Sequence, residues 1–202
     1  MQIPEVSFNH NKTDQAEFEI IELESLYSRN FNHAPEKAHR VNFFLFIYIE
    51  QGCGTHMVDF EEYAFSPGSL LFIQREQVQS FDFSSKPKGK ILLFTQSFLD
   101  QLHANMRLPN YTPTHLNNHH TPLFQLDKVT NTRCNTLINE LITETAHPQS
   151  DPLIIMYLFS SLSLILHRLK PETRHDKLSK QQSIRLSQFL NLLFVHYRKT
   201  RD

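Results

Sequence analysis

The sequence predicts an α+β fold, with a small antiparallel β-barrel or sandwich first and α-helices after it. Two observations carry this. Residues 43–83, FFLFIYIEQGCGTHMVDFEEYAFSPGSLLFIQREQVQSFDF, hold three short apolar runs joined by two tight turns, Gly52-Cys53-Gly54 and Pro67-Gly68. Gly tolerates positive φ and Pro-Gly favours a chain reversal, so this spacing describes consecutive antiparallel strands. After Leu126 the pattern changes. Val129, Cys134, Leu137, Ile138, Leu141 and Ile142 recur at steps of three and four, the period of a helix.

Residues 1–17 are polar and are expected to form a mobile arm, and Phe18 to Tyr27 reads as the first strand. A loop containing Pro35 leads to strands near 42–50, 55–60, 69–74, 78–84 and 89–95, with Pro87 and Gly89 marking the last bend. A short helix is expected from Ser97, then an irregular connection over 105–122 with at most a short strand near Phe124. The next helix ends at His147-Pro148, because the residue before proline avoids the α region. Asp151-Pro152 starts another, as cap and first-turn proline, and Pro171 stops it. Residues 171–182 suit a linker, and 183–197 a final helix. Three regions follow: a barrel with its arm over 1–100, helices over 101–170, and a linker with one helix over 171–202.

Bulk properties exclude several classes. The chain has 202 residues, 40% hydrophobic, with 17 Phe, no Trp and only 4 Gly, enough for one substantial core and too little Gly for flexible linkers. Net charge is −1, unevenly spread. From Arg168 onward nine Lys or Arg face three Asp or Glu, leaving eleven and eighteen for the rest. A basic tail on an acidic body fits a C-terminal end that approaches nucleic acid, but charge alone favours the solvated helix face of an ordinary terminus. No secretory signal opens the chain, and the strongest apolar run, Leu153 to Leu166, is broken by Ser160, Ser161 and Ser163 before it reaches bilayer length. Cys53 and Cys134 do not make a disulfide framework, so a cytoplasmic protein without membrane contact is expected. There is no Gly-rich phosphate loop, HExxH, Gly-x-Ser-x-Gly or CxxC.

The strand 42–50 alternates Phe44, Phe46 and Tyr48 on one face with Phe43, Leu45, Ile47 and Ile49 on the other. Both faces are apolar, so the sheet is expected to be covered on both sides, and which face is inward stays open. The helix 152–169 is apolar all round its first turns, and such a helix must be covered all round. Burial within the chain is one solution. A second copy of the chain is the other, with Ile155, Phe159 and Leu162 as dimer contacts.

Phe43-Phe44 leading to Tyr48-Ile49 and a Gly-x-Gly, then Pro67-Gly68-Ser69-Leu70-Leu71-Phe72-Ile73 and Val78-Gln79-Ser80-Phe81, resembles the cupin effector-binding barrel of AraC-type (AraC/XylS) transcription regulators. Leu186 to Tyr197 resembles the first helix of that family's DNA-binding half, and the sequence ends before either helix-turn-helix. The resemblance implies a ligand-sensing, dimerising regulator rather than an enzyme, touching DNA only through a missing C-terminal domain. An effector-binding fragment or a short antagonist is expected. It implies an effector site at Gln79 and Phe81, with His39 and Arg40 at the mouth-side loop and Phe44 and Tyr48 on the strand between. An inward Arg40 would point to an acidic or fatty-acid effector, an outward one to a surface charge; the absence of Trp disfavours sugars. His56 is read as an exposed strand residue. Catalytic cupins hold a metal on two His at i and i+2 and a later His. Here Val41 stands two residues after His39, in place of the second His and with no donor atom, and Gln79 replaces the later His, so no metal and no cofactor are expected. The rival readings are a cupin enzyme, isomerase or dioxygenase, and a dimerisation module whose barrel is collapsed.

Overall fold

The computed structural model describes residues 3–8, 17–28, 35–82, 84–106 and 121–169. Met1–Leu166 form one compact unit, separate from His167–Asp202. The expected linker over 171–182 and helix over 183–197 lie outside the described residues.

Among the described residues, ten strands form two sheets of five. Sheet I runs in the order β1 (Glu5–Val6), β3 (His39–Val41), β8 (Val78–Phe81), β5 (Gly54–Val58), β6 (Glu61–Phe65). Sheet II runs β10 (Leu123–Gln125), β7 (Ser69–Ile73), β4 (Phe44–Gln51), β9 (Lys88–Phe94), β2 (Phe18–Glu22). Every pairing is antiparallel except β1 with β3. The helices are a single turn α1 (Ser25–Ser28), then α2 (Gln96–Met106), α3 (Lys128–Ala146) and α4 (Pro152–Arg168). The α+β architecture expected from the sequence is the one observed.

The alternation of β4 decides where the cores lie. Leu45, Ile47 and Ile49 face inward and join Leu71, Ile73 and Ile91 of their own sheet. Opposite them stand Val41, Val58, Phe65 and Phe81 of sheet I, so one buried apolar cluster lines the inner faces of the two sheets. The other face of β4 lies under the helices. The Phe159 ring of α4 packs on Phe18, Phe46, Phe94 and Phe98 at centroid distances of 5.8, 5.8, 4.7 and 5.2 Å. Sheet II is therefore covered on both sides, which is why β4 and β7 lack a polar face.

The turns follow their residues. Gly68 sits at φ +82°, donates its N–H to the Ile49 carbonyl at 2.9 Å and accepts the Leu126 N–H at 3.0 Å. Gly89 is needed for a different reason. A Cβ there would lie 1.9 Å from the Tyr48 carbonyl oxygen, so only glycine lets β9 pair with β4 at that point. Asp127 caps α3 by accepting the Val129 and Thr130 N–H groups at 2.9 and 3.0 Å, and Asp151 caps α4 through the Leu153 N–H at 2.8 Å.

Four local expectations are corrected. The first strand stops at Glu22 and the chain turns into α1, because Leu23 N–H bonds the Gly89 carbonyl while Leu26 and Tyr27 N–H bond back to Leu23 and Glu24. The segment EEYAF is a strand, β6, reached through Asp59 and Phe60 at φ +51° and +70°. The Asp59 carboxylate accepts the Val78 N–H at 3.0 Å and the Gln77 amide at 2.7 Å, which anchors this turn without a glycine. His39–Val41 is a strand rather than the end of a loop. The described part of the arm is β1, held to β3 by the Arg40 and Asn42 N–H groups, which donate to the Pro4 and Val6 carbonyls.

Candidate functional site

Register places the polar groups of sheet I. His39 pairs with Gln79, Gln79 also pairs with Val58, and Phe81 pairs with His56. Directly paired residues share a face, and Val58 and Phe81 belong to the inner cluster, so His39, Gln79 and His56 all face the interior. All three are buried. They form a polar patch spanning three neighbouring strands inside an otherwise apolar space.

The patch has definite chemistry. Oε1 of Gln79 lies 3.1 Å from Nε2 of His56. A carbonyl oxygen only accepts, so this hydrogen-bond network assigns the imidazole proton to Nε2. Nδ1 of His56 then carries a lone pair, and it is buried with no hydrogen-bond partner. A buried polar atom left without a partner costs about 1–3 kcal/mol. The Phe81 ring meets the imidazole edge-on, centroids 5.0 Å apart, and Phe65 stands behind Phe81 at 5.5 Å. Burial pushes the His56 pKa down to about 4, against the opposing pull of the Gln79 hydrogen bond, with His39 lowering it further. His39 is also lowered by burial, partly offset by its contact of 2.9 Å with the Lys37 carbonyl. Both rings are neutral at physiological pH.

Of the six residues read from the sequence as effector-binding, the structure brings His39, Gln79 and Phe81 together here. The other three lie elsewhere. Arg40 is exposed, one step out of phase with His39, so its guanidinium is a surface charge. Phe44 and Tyr48 are on the face of β4 away from the interior. Phe44 stacks on Phe72 and Phe94, and the Tyr48 hydroxyl donates to Oδ1 of Asn131 on α3 at 2.7 Å. Burial and nearby Glu50 push the Tyr48 hydroxyl up to about 12, so it stays a donor.

His56 is the residue sequence reasoning missed. The expectation that it is exposed is corrected: it is 1% exposed. The signal was its parity with Val58, since residues two apart on a strand share a face. Its inward position adds a second imidazole, beside His39, to the described residues of the interior. Among the described residues no group of three or more His, Cys, Asp or Glu is placed to hold a metal ion.

The helical candidates divide as well. Phe159 and Leu162 are fully buried within the chain, and Ile155 is half-buried, so Phe159 and Leu162 are core residues rather than dimer contacts. The uncovered apolar side chains of α4 are Leu153, Ile154 and Tyr157. No helix among the described residues is long and apolar enough to cross a membrane.

Among solved structures, the chain is similar to ToxT from Vibrio cholerae O395 bound to (E)-4-(8-methylnaphthalen-1-yl)but-3-enoic acid, with 12% identity and a TM-score of 0.44, covering 76% of this chain and 58% of that one. It is similar to unsaturated fatty acid bound ToxT from Vibrio cholerae strain SCE256, with 12% identity, a TM-score of 0.47, and 78% and 57% covered. A third likeness is to the AraC-like transcriptional activator CuxR, with 13% identity, a TM-score of 0.41, and 75% and 51% covered. The chain thus spans less than two thirds of the length of each of these proteins. No curated protein matches the sequence. The family profile of the AraC-like ligand binding domain matches residues 21–186, from within β2 to beyond α4, and the chain belongs to that family.

Proposed function

We propose that this chain is the effector-sensing part of a cytoplasmic transcription regulator. A small molecule enters the space between the two sheets and is held by His39, His56, Gln79 and Phe81. The chain senses that molecule and does not transform it. DNA contact belongs to a helix-turn-helix region of the whole regulator. The observation that carries the reading is the buried Gln79–His56 pair with its unfilled nitrogen, set among apolar side chains that would accept the rest of a ligand. Membership of the ligand-binding family supports it. Phe44 and Tyr48 act one layer further out. Their strand is shared between the inner cluster and the helices, so they couple occupancy of the interior to the Asn131 contact on α3.

Native mass spectrometry of protein purified under mild conditions tests this. A small molecule is expected to stay bound, and Gln79→Leu is expected to lower its retention about tenfold, the weight of one buried hydrogen bond. Protein that carries no ligand and gives no thermal shift with any member of a broad metabolite panel would leave only a dimerisation module.

The proposed dimer uses the uncovered face of α4. Tyr157 is 60% exposed and Leu153 and Ile154 are each 46% exposed, a run of large apolar groups along one helix. Light scattering is expected to give twice the chain mass for the wild type and the single-chain mass for Tyr157→Glu, with unchanged circular dichroism. A Tyr157→Glu protein that remains dimeric moves the interface off this helix.

A further inference from the structure

We propose that the interior selects an uncharged effector that presents a hydrogen-bond donor, a hydroxyl or an amide N–H, to Nδ1 of His56. This rests on the effector-sensing reading above and sharpens it to a ligand class. Three observations carry it. First, Nδ1 is a buried lone pair with no partner, and only a donor satisfies a lone pair. The Gln79 carbonyl fixes this polarity by holding the ring proton on Nε2. Second, the buried polar side chains among the described residues are His39, His56, Ser69, Gln79, Ser160 and Ser163, with no Lys or Arg, and Arg40 is exposed. A carboxylate or phosphate entering here would lose its water without gaining a cation from the described residues, and it would set a second acceptor against Nδ1. Third, the surroundings of His56 are aromatic and apolar, with the Phe81 ring edge-on against the imidazole and Phe65 behind it. The remainder of the ligand is therefore apolar, and its one polar group sets its orientation. The Gln79 carbonyl is already used by His56, which leaves the amide NH2 of Gln79 as the remaining polar group of that side chain. A hydroxyl satisfies both, since it donates to Nδ1 and accepts from an amide.

Matched probes separate this claim from the reading beneath it. The full chain, labelled with 15N at histidine, is titrated with p-cresol and cyclohexanol, with their methyl ethers, with 4-methylbenzoate and cyclohexanecarboxylate, and with zinc chloride alone. The imidazole nitrogen shifts of His56 and the dissociation constants are read by NMR. The alcohols are expected to bind about tenfold more tightly than the ethers and to move the His56 Nδ1 resonance. His56→Phe is expected to bind alcohol and ether equally. The wild-type nitrogen shift stands as evidence even if that variant does not fold. Ethers that bind as well as alcohols, carboxylates that bind more tightly, or zinc that takes the His56 nitrogen would each overturn the donor rule while leaving a binding interior. If no probe perturbs any residue of the interior, the effector-sensing reading fails and takes this inference with it.

Discussion

Phe159→Ala is expected to lower the stability of the chain by about 4 kcal/mol, the range found when a fully buried aromatic ring is removed and its cavity stays open. Phe159 is fully buried and makes ring contacts to residues of β2, β4, β9 and α2. Those contacts come from four separate segments, so no single small movement closes the void. The loss also unfastens α4 from sheet II, since this ring packs on Phe46 at the outer face of β4. Urea unfolding followed by circular dichroism checks the value. The midpoint should fall with the slope unchanged, which marks a change in stability rather than in the amount of surface exposed. The same measurement decides what kind of residue Phe159 is. A dimer contact would lose association and keep its midpoint. A core residue loses its midpoint, and Tyr157→Glu, on the exposed side of the same helix, supplies the opposite pattern.

The contrast between these two positions shows what was legible in the sequence. That 152–169 is helical, and starts at Asp151-Pro152, could be read from the cap and the period. Which of its apolar residues face the protein could not, because nearly every position in the first turns is apolar and carries no contrast. The same holds for β4. Its alternation is visible, yet which face turns inward stays open, because only the long-range packing of α3 and α4 onto sheet II distinguishes one apolar face from the other. Gln79 and Phe81 were found through a local motif, and they lie in the interior. His56 was hidden differently. Its strand, GTHMV, gives no clean alternation, and its burial depends on pairing with Phe81, 25 positions later in the chain. The β6 strand escaped because EEYAF is polar and its turn uses Asp59 and Phe60 at positive φ where a glycine signal is expected. In each case the missing information was register between distant segments.

The buried imidazole makes the whole chain sensitive to acid, and this is the second large effect expected. The unfolded chain presents His56 near its ordinary pKa of about 6.5, whereas burial holds it at about 4 in the folded protein. The unfolded state therefore takes up the proton first. Stability is fully present above about pH 6.5 and is lost as the pH falls toward 4, by about 3 kcal/mol from this group. His39 acts in the same direction, since its pKa is also lowered by burial. No buried carboxylate stands among the described residues to offset either charge. Urea midpoints measured from pH 7.5 to pH 4.5 should fall more steeply for the wild type than for His56→Phe. Surface carboxylates titrate alike in both proteins, so the difference between the two curves isolates the imidazole. Parallel curves would show that His56 reaches water in solution, and they would remove the dry, neutral acceptor on which recognition in this interior depends. A bound donor ligand should deepen the effect's cause and reduce its cost at once. By holding the lone pair of Nδ1 it lowers the folded-state pKa further, and by binding only the folded chain it raises the midpoint at every pH where His56 stays neutral.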